Sequence, residues 1–224
     1  YIYIDTSGEI AISGGFEEAN EFRDDLAAVK SWGAWGYIDR SGNFVIQPIY
    51  DMVYSFSDGV AFVLDLDGEG GYSLIDTDGN YILEESIYTP EYTPNDGESS
   101  ARWVEGLCCV NAAVDDSYPQ LGFGYAYINK NGEKVLPKDD TYYDMTWGFV
   151  KSDSGTYAVA TDHASGLYGY IDIDGKWVIP PQYQGGNSSA ASPYNGIGLV
   201  EESRVYIDMS GNSLAKVDAP LSFE

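Results

Sequence analysis

The sequence Gly36-Tyr37-Ile38-Asp39-Arg40-Ser41-Gly42-Asn43-Phe44-Val45-Ile46 contains the pattern that decides the fold. Its two ends are β-prone runs, and Asp-x-x-Gly stands between them. The Asp carboxylate can accept a backbone N–H two residues further on, and the Gly supplies a positive φ at the exit of the turn. The stretch therefore predicts a β-hairpin.

This hairpin pattern recurs along the whole chain. The marker glycines are spaced by 34, 37, 53, 43 and 36 residues, a range typical of solenoids, propellers and other repeat arrays. The residues predicted to form the turns are Asp5 and Gly8, Asp39 and Gly42, Asp76 and Gly79, Asn129 and Gly132, Asp172 and Gly175, and Asp208 and Gly211. Because Asn129 replaces Asp in one copy, we interpret these residues as turn formers rather than as metal ligands.

A third strand is predicted after each hairpin, most clearly over Phe56–Val63. Its counterparts are residues 22–29, 103–110 and 196–200, and for the fourth copy residues 155–159 are favoured over the rival 147–150. Residues 17–29 carry Ala19, Phe22 and Leu26, and with the preceding Phe16 their spacing is compatible with a helical turn or two. The chain is otherwise predicted to be all-β, with about three strands in each repeat.

One repeat array is sufficient to explain the chain of 224 residues. We expect an open, solenoid-like tandem array of β-hairpins with a third strand, and a closed propeller-like ring is the alternative. The expected repeats of this single domain are residues 1–35, 36–71, 72–124, 125–168 and 169–204, with a terminal half-repeat at 205–224.

The repeat pattern resembles the WG repeat family of bacterial proteins. The residues that carry the resemblance are Trp35-Gly36-Tyr37-Ile38-Asp39-x-x-Gly42, Val45-Ile46-x-Pro48-x-Tyr50 and Phe56-x-x-Gly59-x-Ala61-x-Val63. A second match runs through Gly169-Tyr170-Ile171-Asp172-x-x-Gly175 and Val178-Ile179-x-Pro181-x-Tyr183. The Trp-Gly pair is intact at 35–36, whereas Phe123-Gly124 and Tyr168-Gly169 replace it elsewhere. The resemblance implies an architecture and a binding or surface role, without shared catalytic residues.

The charge of the chain limits its partners. With 11 Lys and Arg against 36 Asp and Glu, the formal charge is −25, which disfavours nucleic acid and anionic membranes. No apolar run approaches the length of a membrane span. The Asp-x-Asp-Gly segments that begin at Asp65, Asp76 and Asp172 lack the Glu that an EF-hand needs at its twelfth position. We expect no cofactor, although weak surface Ca²⁺ binding is compatible with so acidic a chain.

Catalytic patterns are absent from the sequence. The single histidine, His163, lies in a predicted loop, and no G-x-S-x-G nucleophile motif accompanies it. A Ser-His-Asp arrangement stays open as an alternative. The neighbouring Cys108 and Cys109 would face opposite sides of a strand, so we interpret them as two packing residues rather than as a disulfide or a redox pair.

The aromatic residues, 5 Trp, 20 Tyr and 8 Phe, are the best indication of function. Tyr37, Tyr72, Tyr125, Tyr170 and Tyr206 are assigned to one structural repeat position. Trp177 takes the position of Phe44 and Tyr81 and is expected in the core. Trp32 and Trp147 fall outside the consensus and are the predicted ligand-binding residues.

We therefore expect a non-catalytic binding module of a secreted or surface-displayed bacterial protein, with a protein or carbohydrate partner. A glycan- or choline-binding cell-wall module is the first alternative, because exposed aromatics can bind sugars and quaternary ammonium groups. A hydrolase is the second alternative. The sequence does not indicate the oligomeric state.

Overall fold

The computed structural model describes residues 1–66, 71–84, 88–90, 103–113, 123–138, 142–144, 146, 148–184, 190–194, 197–200 and 205–216. The chain divides into two compact units: unit 1 is Tyr1–Gly106 with Asn129–Glu133, and unit 2 is Leu107–Ile128 with Lys134–Glu224. No helix occurs in the described ranges, so none there is long and apolar enough to cross a membrane. The all-β tandem array of hairpins with added strands is confirmed.

Most strands of unit 1 pair antiparallel with the next strand along the chain. They are β1 (Tyr3–Ile4), β2 (Ile10–Ile12), β3 (Glu18–Ala19), β4 (Ala27–Ser31), β5 (Ala34–Ile38), β6 (Phe44–Val53), β7 (Val60–Asp65), β8 (Ser73–Asp76), β9 (Tyr81–Leu83), β10 (Tyr88–Pro90) and β11 (Trp103–Val104). β1 pairs with β2, and β3 to β9 form one seven-stranded sheet in chain order.

Unit 2 contains the remaining strands. They are β12 (Leu107–Ala113), β13 (Phe123–Asn129), β14 (Lys134–Leu136), β15 (Val150–Ser152), β16 (Gly155–Thr161), β17 (Tyr168–Asp172), β18 (Trp177–Tyr183), β19 (Ala190–Tyr194), β20 (Ile197–Val200), β21 (Val205–Asp208) and β22 (Ser213–Lys216). β12, β13 and β14 are successive neighbours, and β15–β18 and β19–β22 form two four-stranded sheets.

A repeat contains four strands rather than the expected three. The additional strand has two residues in β3, three in β15 and five in β19. Within the seven-stranded sheet the second half of β6 also serves as one, because β6 pairs with β5 through Phe44, Ile46 and Tyr50 and with β7 through Tyr50, Met52 and Val53. Short strands, and strands continuous with a neighbour, lack turn signals of their own, so the sequence did not separate them. Four-stranded antiparallel sheets are also the units of propeller blades.

Residues 17–29 contain two strands and a tight turn, which makes the expectation of a helical turn there wrong. The chain forms β3 and β4, and Arg23 and Leu26 exchange both backbone hydrogen bonds around Asp24 and Asp25. Both of these aspartates have positive φ, 49° and 64°, as a type I′ turn requires. The apparent helical spacing includes Phe16 and Leu26, which are both buried but precede β3 and β4, respectively.

The choice of residues 155–159 as the third strand of the fourth copy is correct, but the alignment with the other copies shifts by one residue. Tyr157 pairs with Asp172 as Val60 pairs with Asp76, so Tyr157 is the counterpart of Val60. Ala158 then takes the small-residue position of Ala61 and Cys108, and all three are at most 1% exposed. At the same position in the next copy, a Cβ on Gly198 would lie 2.6 Å from the ring of Tyr170. The small residue leaves room for the buried tyrosine.

In four copies the residue two positions before the turn-forming Asp or Asn is fully buried, whereas Tyr3 and Tyr206 are partly buried there. The four fully buried residues, all 0% exposed, are Tyr37, Leu74, Tyr127 and Tyr170. The assignment of Tyr72 and Tyr125 to this position is therefore wrong, and both are only partly buried. They lie two residues earlier, and because residues two apart share a face of a strand, the pattern resembles that of the core position.

The repeats of each unit contact one another through their turn glycines. An apolar side chain four residues after one marker glycine lies against the next marker glycine. A Cβ added to that next glycine would be 2.7 Å from Ile12 at Gly42, 3.2 Å from Ile46 at Gly79, 2.6 Å from Leu83 at Gly132 and 2.5 Å from Leu136 at Gly175. The marker glycine therefore serves the packing between repeats as well as the turn.

Candidate ligand-binding site

The predicted turn residues share one hydrogen-bonding pattern. In Asp39 the carboxylate Oδ1 accepts the backbone N–H groups of Ser41 at 2.8 Å and Asn43 at 2.9 Å. Asp5, Asp76, Asn129, Asp172 and Asp208 accept the equivalent pair of N–H groups at 2.8–3.1 Å. The marker glycines all have φ between 77° and 87°. These oxygens face the turn, where backbone donors surround them.

The side chain at the fourth position after the turn-forming residue adds to this pattern. Asn43, Asn80 and Asn212 donate from Nδ2 to Oδ2 of Asp39, Asp76 and Asp208 at 2.9–3.2 Å. Hydrogen bonds from Asn43 hold the pKa of Asp39 below its ordinary value, and the bond from Ser7 does the same for the pKa of Asp5. No group of three His, Cys, Asp or Glu side chains in the described ranges could hold a metal ion.

Of the two tryptophans predicted to bind a ligand, only Trp32 lies among the described residues. Trp32 lies on the turn between β4 and β5 and is 83% exposed, with its ring 6.3 Å from that of Phe44. Trp147 lies outside the described residues. Cys108 and Cys109 are both buried and form no disulfide bond.

A cleft of about 580 Å³ in unit 2 is the best candidate for a ligand site. It lies between two consecutive repeats. The earlier repeat contributes Leu136, Pro137, Lys138, Tyr142 and Tyr143, and the later repeat contributes Asp162, His163, Ala164, Gly175 and Trp177. Leu136 and Gly175, whose contact joins these repeats, both line the cleft. The volume is in the range of small-ligand pockets.

The expectation that Trp177 lies in the core is wrong. It is the first residue of β18, the edge strand of its sheet, and is only partly buried. Phe44 is partly buried in the same way, and Tyr81 is 40% exposed. This repeat position is thus an outer one, because the strand that begins there has a neighbour on one side only at that point. An aromatic ring held there is available to a ligand.

Tyr142 is held in the cleft from two directions. A Cβ on Gly124 would lie 2.5 Å from Cβ of Tyr142, so the glycine permits this close approach. Lys134 Nζ lies 4.8 Å from the centre of the Tyr142 ring, within cation–π distance. The neighbouring Tyr143 is buried and exchanges two backbone hydrogen bonds with Tyr125. The aromatic wall is therefore anchored to β13.

The polar side of the cleft is formed by the loop between β16 and β17. Asp162 Oδ2 accepts the backbone N–H of Ser165 at 2.9 Å and its hydroxyl at 2.6 Å. His163 Nδ1 lies 2.5 Å from Asp144 Oδ1, which orients the imidazole. Both side chains are partly exposed, 48% for His163 and 31% for Asp144. Ser165, the serine nearest in sequence to His163, thus donates its hydroxyl hydrogen to Asp162.

One of the equivalent junctions in unit 1 is filled. There Ile12 lies against Gly42, as Leu136 lies against Gly175, but Phe16 follows and packs 6.4 Å from Phe44. Phe16 is 5% exposed. In unit 2, Pro137 and Lys138 follow Leu136, and their side chains line the cleft instead of filling it.

Sequence reasoning missed most of the cleft. It singled out His163 but not Tyr142, Lys138 or Asp162, and it placed Trp177 in the core. The one signal that could have found Trp177 was its alignment with Phe44 and Tyr81 at the first position after each turn. Tyr142 carries no comparable signal, because it lies in an insertion relative to the repeat.

Comparisons with known proteins identify the repeat. The family model described as "WG containing repeat" matches residues 3–31, 35–68 and 168–202. None of the curated proteins matches the chain. The solved structure of BamB from Moraxella catarrhalis is similar at 12% identity and a TM-score of 0.33, over 94% of this chain and 76% of that one.

A second solved structure, AztD from Citrobacter koseri, is similar at 12% identity and a TM-score of 0.34. That likeness covers 92% of this chain and 59% of the other. Structural likenesses at these scores carry no weight for function. The three matched regions include the residues that first indicated the resemblance, so these parts of the chain are similar to the WG repeat.

Proposed function

We propose that this chain is a non-catalytic binding module whose unit 2 cleft takes a carbohydrate. The observation that carries the proposal is the combination of Trp177 and Tyr142 with Asp162, His163 and Lys138 around one cleft of about 580 Å³. Aromatic faces can stack on the apolar faces of sugar rings, and the polar groups can bind hydroxyls.

The described contacts support a preformed site. Asp162 is fixed by the two bonds from Ser165, His163 is oriented by Asp144, and Tyr142 is anchored beside Gly124. A site whose side chains are already ordered loses less conformational entropy when a ligand binds. The negative charge of the chain also favours a neutral ligand over an anionic one.

Isothermal titration with chitotetraose and cellotetraose tests the proposal. We expect one of these neutral oligosaccharides to bind, and Trp177→Ala to weaken that binding at least tenfold. Trp32→Ala is the matched control, because it removes an exposed tryptophan from unit 1 and should leave sugar binding unchanged. Absence of binding by both sugars, or equal binding by Trp177→Ala, would refute the carbohydrate assignment and favour a protein ligand.

The pair formed by His163 and Asp144 favours a hydrolase as the second candidate. A carboxylate that orients an imidazole in a cleft is the arrangement used for general base catalysis. Hydrolysis of a p-nitrophenyl ester that is lost in His163→Gln would support this candidate. Unchanged background hydrolysis in the wild type would exclude it for esters. Choline chloride in the same titrations tests the alternative of a choline-binding module.

A further inference from the structure

Trp32 occupies a backbone position that does not suit it. It is the first central residue of the turn between β4 and β5, and Trp32 and Gly33 have φ of 55° and 81°. Such type I′ turns favour Asn, Asp and Gly, and a bulky residue with positive φ is strained. At 83% exposure, Trp32 gains little burial in return.

Three other turns of the same kind in this chain provide the comparison. Their first central residues are Asp24, Asp58 and Glu105, with φ of 49°, 58° and 52°. All three are acidic, so Trp32 is the aromatic exception among four equivalent turns in the described ranges. Its identity is explained by a role outside the turn, since strained residues concentrate at functional positions.

The surroundings of Trp32 combine an aromatic face with a carboxylate. The Phe44 ring lies 6.3 Å away at an angle of 36°. Glu17 accepts the N–H of Gly33 with both oxygens, at 3.2 and 3.3 Å, so its negative charge is held directly beside the turn. An aromatic face beside a carboxylate is the arrangement that binds an organic cation.

Other aromatics in the chain already hold cations. Lys30 lies 5.8 Å from the Trp35 ring, Arg40 lies 5.1 Å from the Phe22 ring, and Lys134 lies over Tyr142. Among the described residues no cation lies over Trp32. Its ring is therefore open to a cation from another molecule, and the formal charge of −25 would attract a basic partner.

From these contacts we infer that Trp32, Phe44 and Glu17 form a docking site for an Arg or Lys side chain of a basic polypeptide. Phe44 and Trp32 supply the aromatic surface, and Glu17 supplies the counter-charge. This site lies within unit 1 and does not depend on the carbohydrate cleft.

Titration with a hexa-arginine peptide in 150 mM salt tests the site, and hexa-citrulline serves as the neutral peptide of nearly the same shape. We expect Trp32→Asn to weaken hexa-arginine binding about tenfold. Because Asn suits the turn, we expect the melting temperature to stay the same or rise. Glu17→Gln should weaken binding more than Glu9→Gln, which removes the same charge from another exposed position.

Three results would overturn the inference. Equal binding of hexa-arginine by wild type and Trp32→Asn would mean that the general negative charge alone attracts the peptide. Equal binding of hexa-citrulline would exclude cation recognition. A lower melting temperature in Trp32→Asn would mean that Trp32 is retained for its packing on Phe44.

Discussion

Gly42 lies so close to Ile12 of the preceding repeat that a Cβ on the glycine would be 2.7 Å from Cγ2 of the isoleucine. Gly42 also has a φ of 84°. Two requirements thus meet at one residue: the turn needs a positive φ, and the neighbouring repeat needs the space. At Gly8 the φ is 87° but nothing lies within 4 Å of the added Cβ. Substitutions at Gly8 and Gly42 can therefore separate the need for a positive φ from the need for space.

We expect Gly8→Ala to lower the free energy of unfolding by about 1–2 kcal/mol, the cost of a left-handed backbone. Gly42→Ala should cost about 1–3 kcal/mol more, because it also crowds Ile12. Gly42→Val should be worse than Gly42→Ala, since a β-branched residue suits positive φ less. Urea denaturation measures all three. Equal losses for Gly8→Ala and Gly42→Ala would show that the contact between repeats contributes nothing.

Gly36 explains why the glycine of the Trp-Gly pair is retained when its aromatic neighbour changes. A Cβ there would lie 2.6 Å from the carbonyl oxygen of Ile46 and 2.7 Å from the nitrogen of Pro48. Gly169 meets the same obstacle at Ile179 O and Pro181 N. The obstructing atoms belong to the backbone, which cannot rotate away.

We therefore expect Gly36→Ala to destabilise by about 3 kcal/mol or more, beyond the usual cost of overpacking. Gly148→Ala is the control, because its added Cβ meets nothing within 4 Å and its φ is not positive. It should change the free energy of unfolding by less than about 0.5 kcal/mol. Trp35→Tyr should be tolerated, as Tyr168 occupies the equivalent position. Similar denaturant midpoints for Gly36→Ala and Gly148→Ala would contradict this account.

The turn aspartates provide a test between structural turns and metal sites. We expect Asp39→Asn to leave the melting temperature nearly unchanged, because Asn129 accepts the same two N–H groups. Asp39→Ala should lower it, since those donors lose their acceptor. EDTA should have no effect on the wild type. A drop of several degrees with EDTA would make these turns metal sites.

The pKa of Asp39 gives the direction of a pH effect. Hydrogen bonds from Asn43 lower this pKa in the folded chain below its ordinary value of 3.8. The stabilisation is therefore complete above pH 3.8 and is lost as the pH falls through the folded-state pKa. Asp39→Asn has no such group, so its melting temperature relative to wild type should rise below pH 4. A constant difference from pH 7 to pH 3 would refute the pKa shift.

Both cysteines should be inert in the native protein. Cys108 is 1% and Cys109 5% exposed, and burial protects thiols from reagents. We expect no reaction with DTNB until the protein is denatured, when both thiols should react. Reducing agent should leave the melting temperature unchanged. Fast labelling of the folded protein would indicate that β12 opens.

The sequence alone determined the hairpins and their order. Each Asp-x-x-Gly turn is specified by atoms at most four residues apart, such as Asp39 Oδ1 and the N–H of Asn43. Such a turn can therefore be recognised from a short stretch of sequence. The small position shared by Ala61 and Cys108 was also readable, because it recurs at a fixed distance from each hairpin. Local hydrogen bonds and fixed spacing need no knowledge of distant residues.

The tertiary structure decided what lies between repeats. Only the packed chain places Ile12 against Gly42 and the backbone of Pro48 against Gly36, and only it divides β6 between two neighbouring partners. The cleft depends on the same kind of contact, because Tyr142 and Trp177 belong to successive repeats and meet only when Leu136 packs on Gly175. A side chain can fill a junction between repeats, as Phe16 does, or line an opening there. Which of the two occurs depends on the volumes of side chains from separate segments, and these volumes produce no periodic pattern in the sequence.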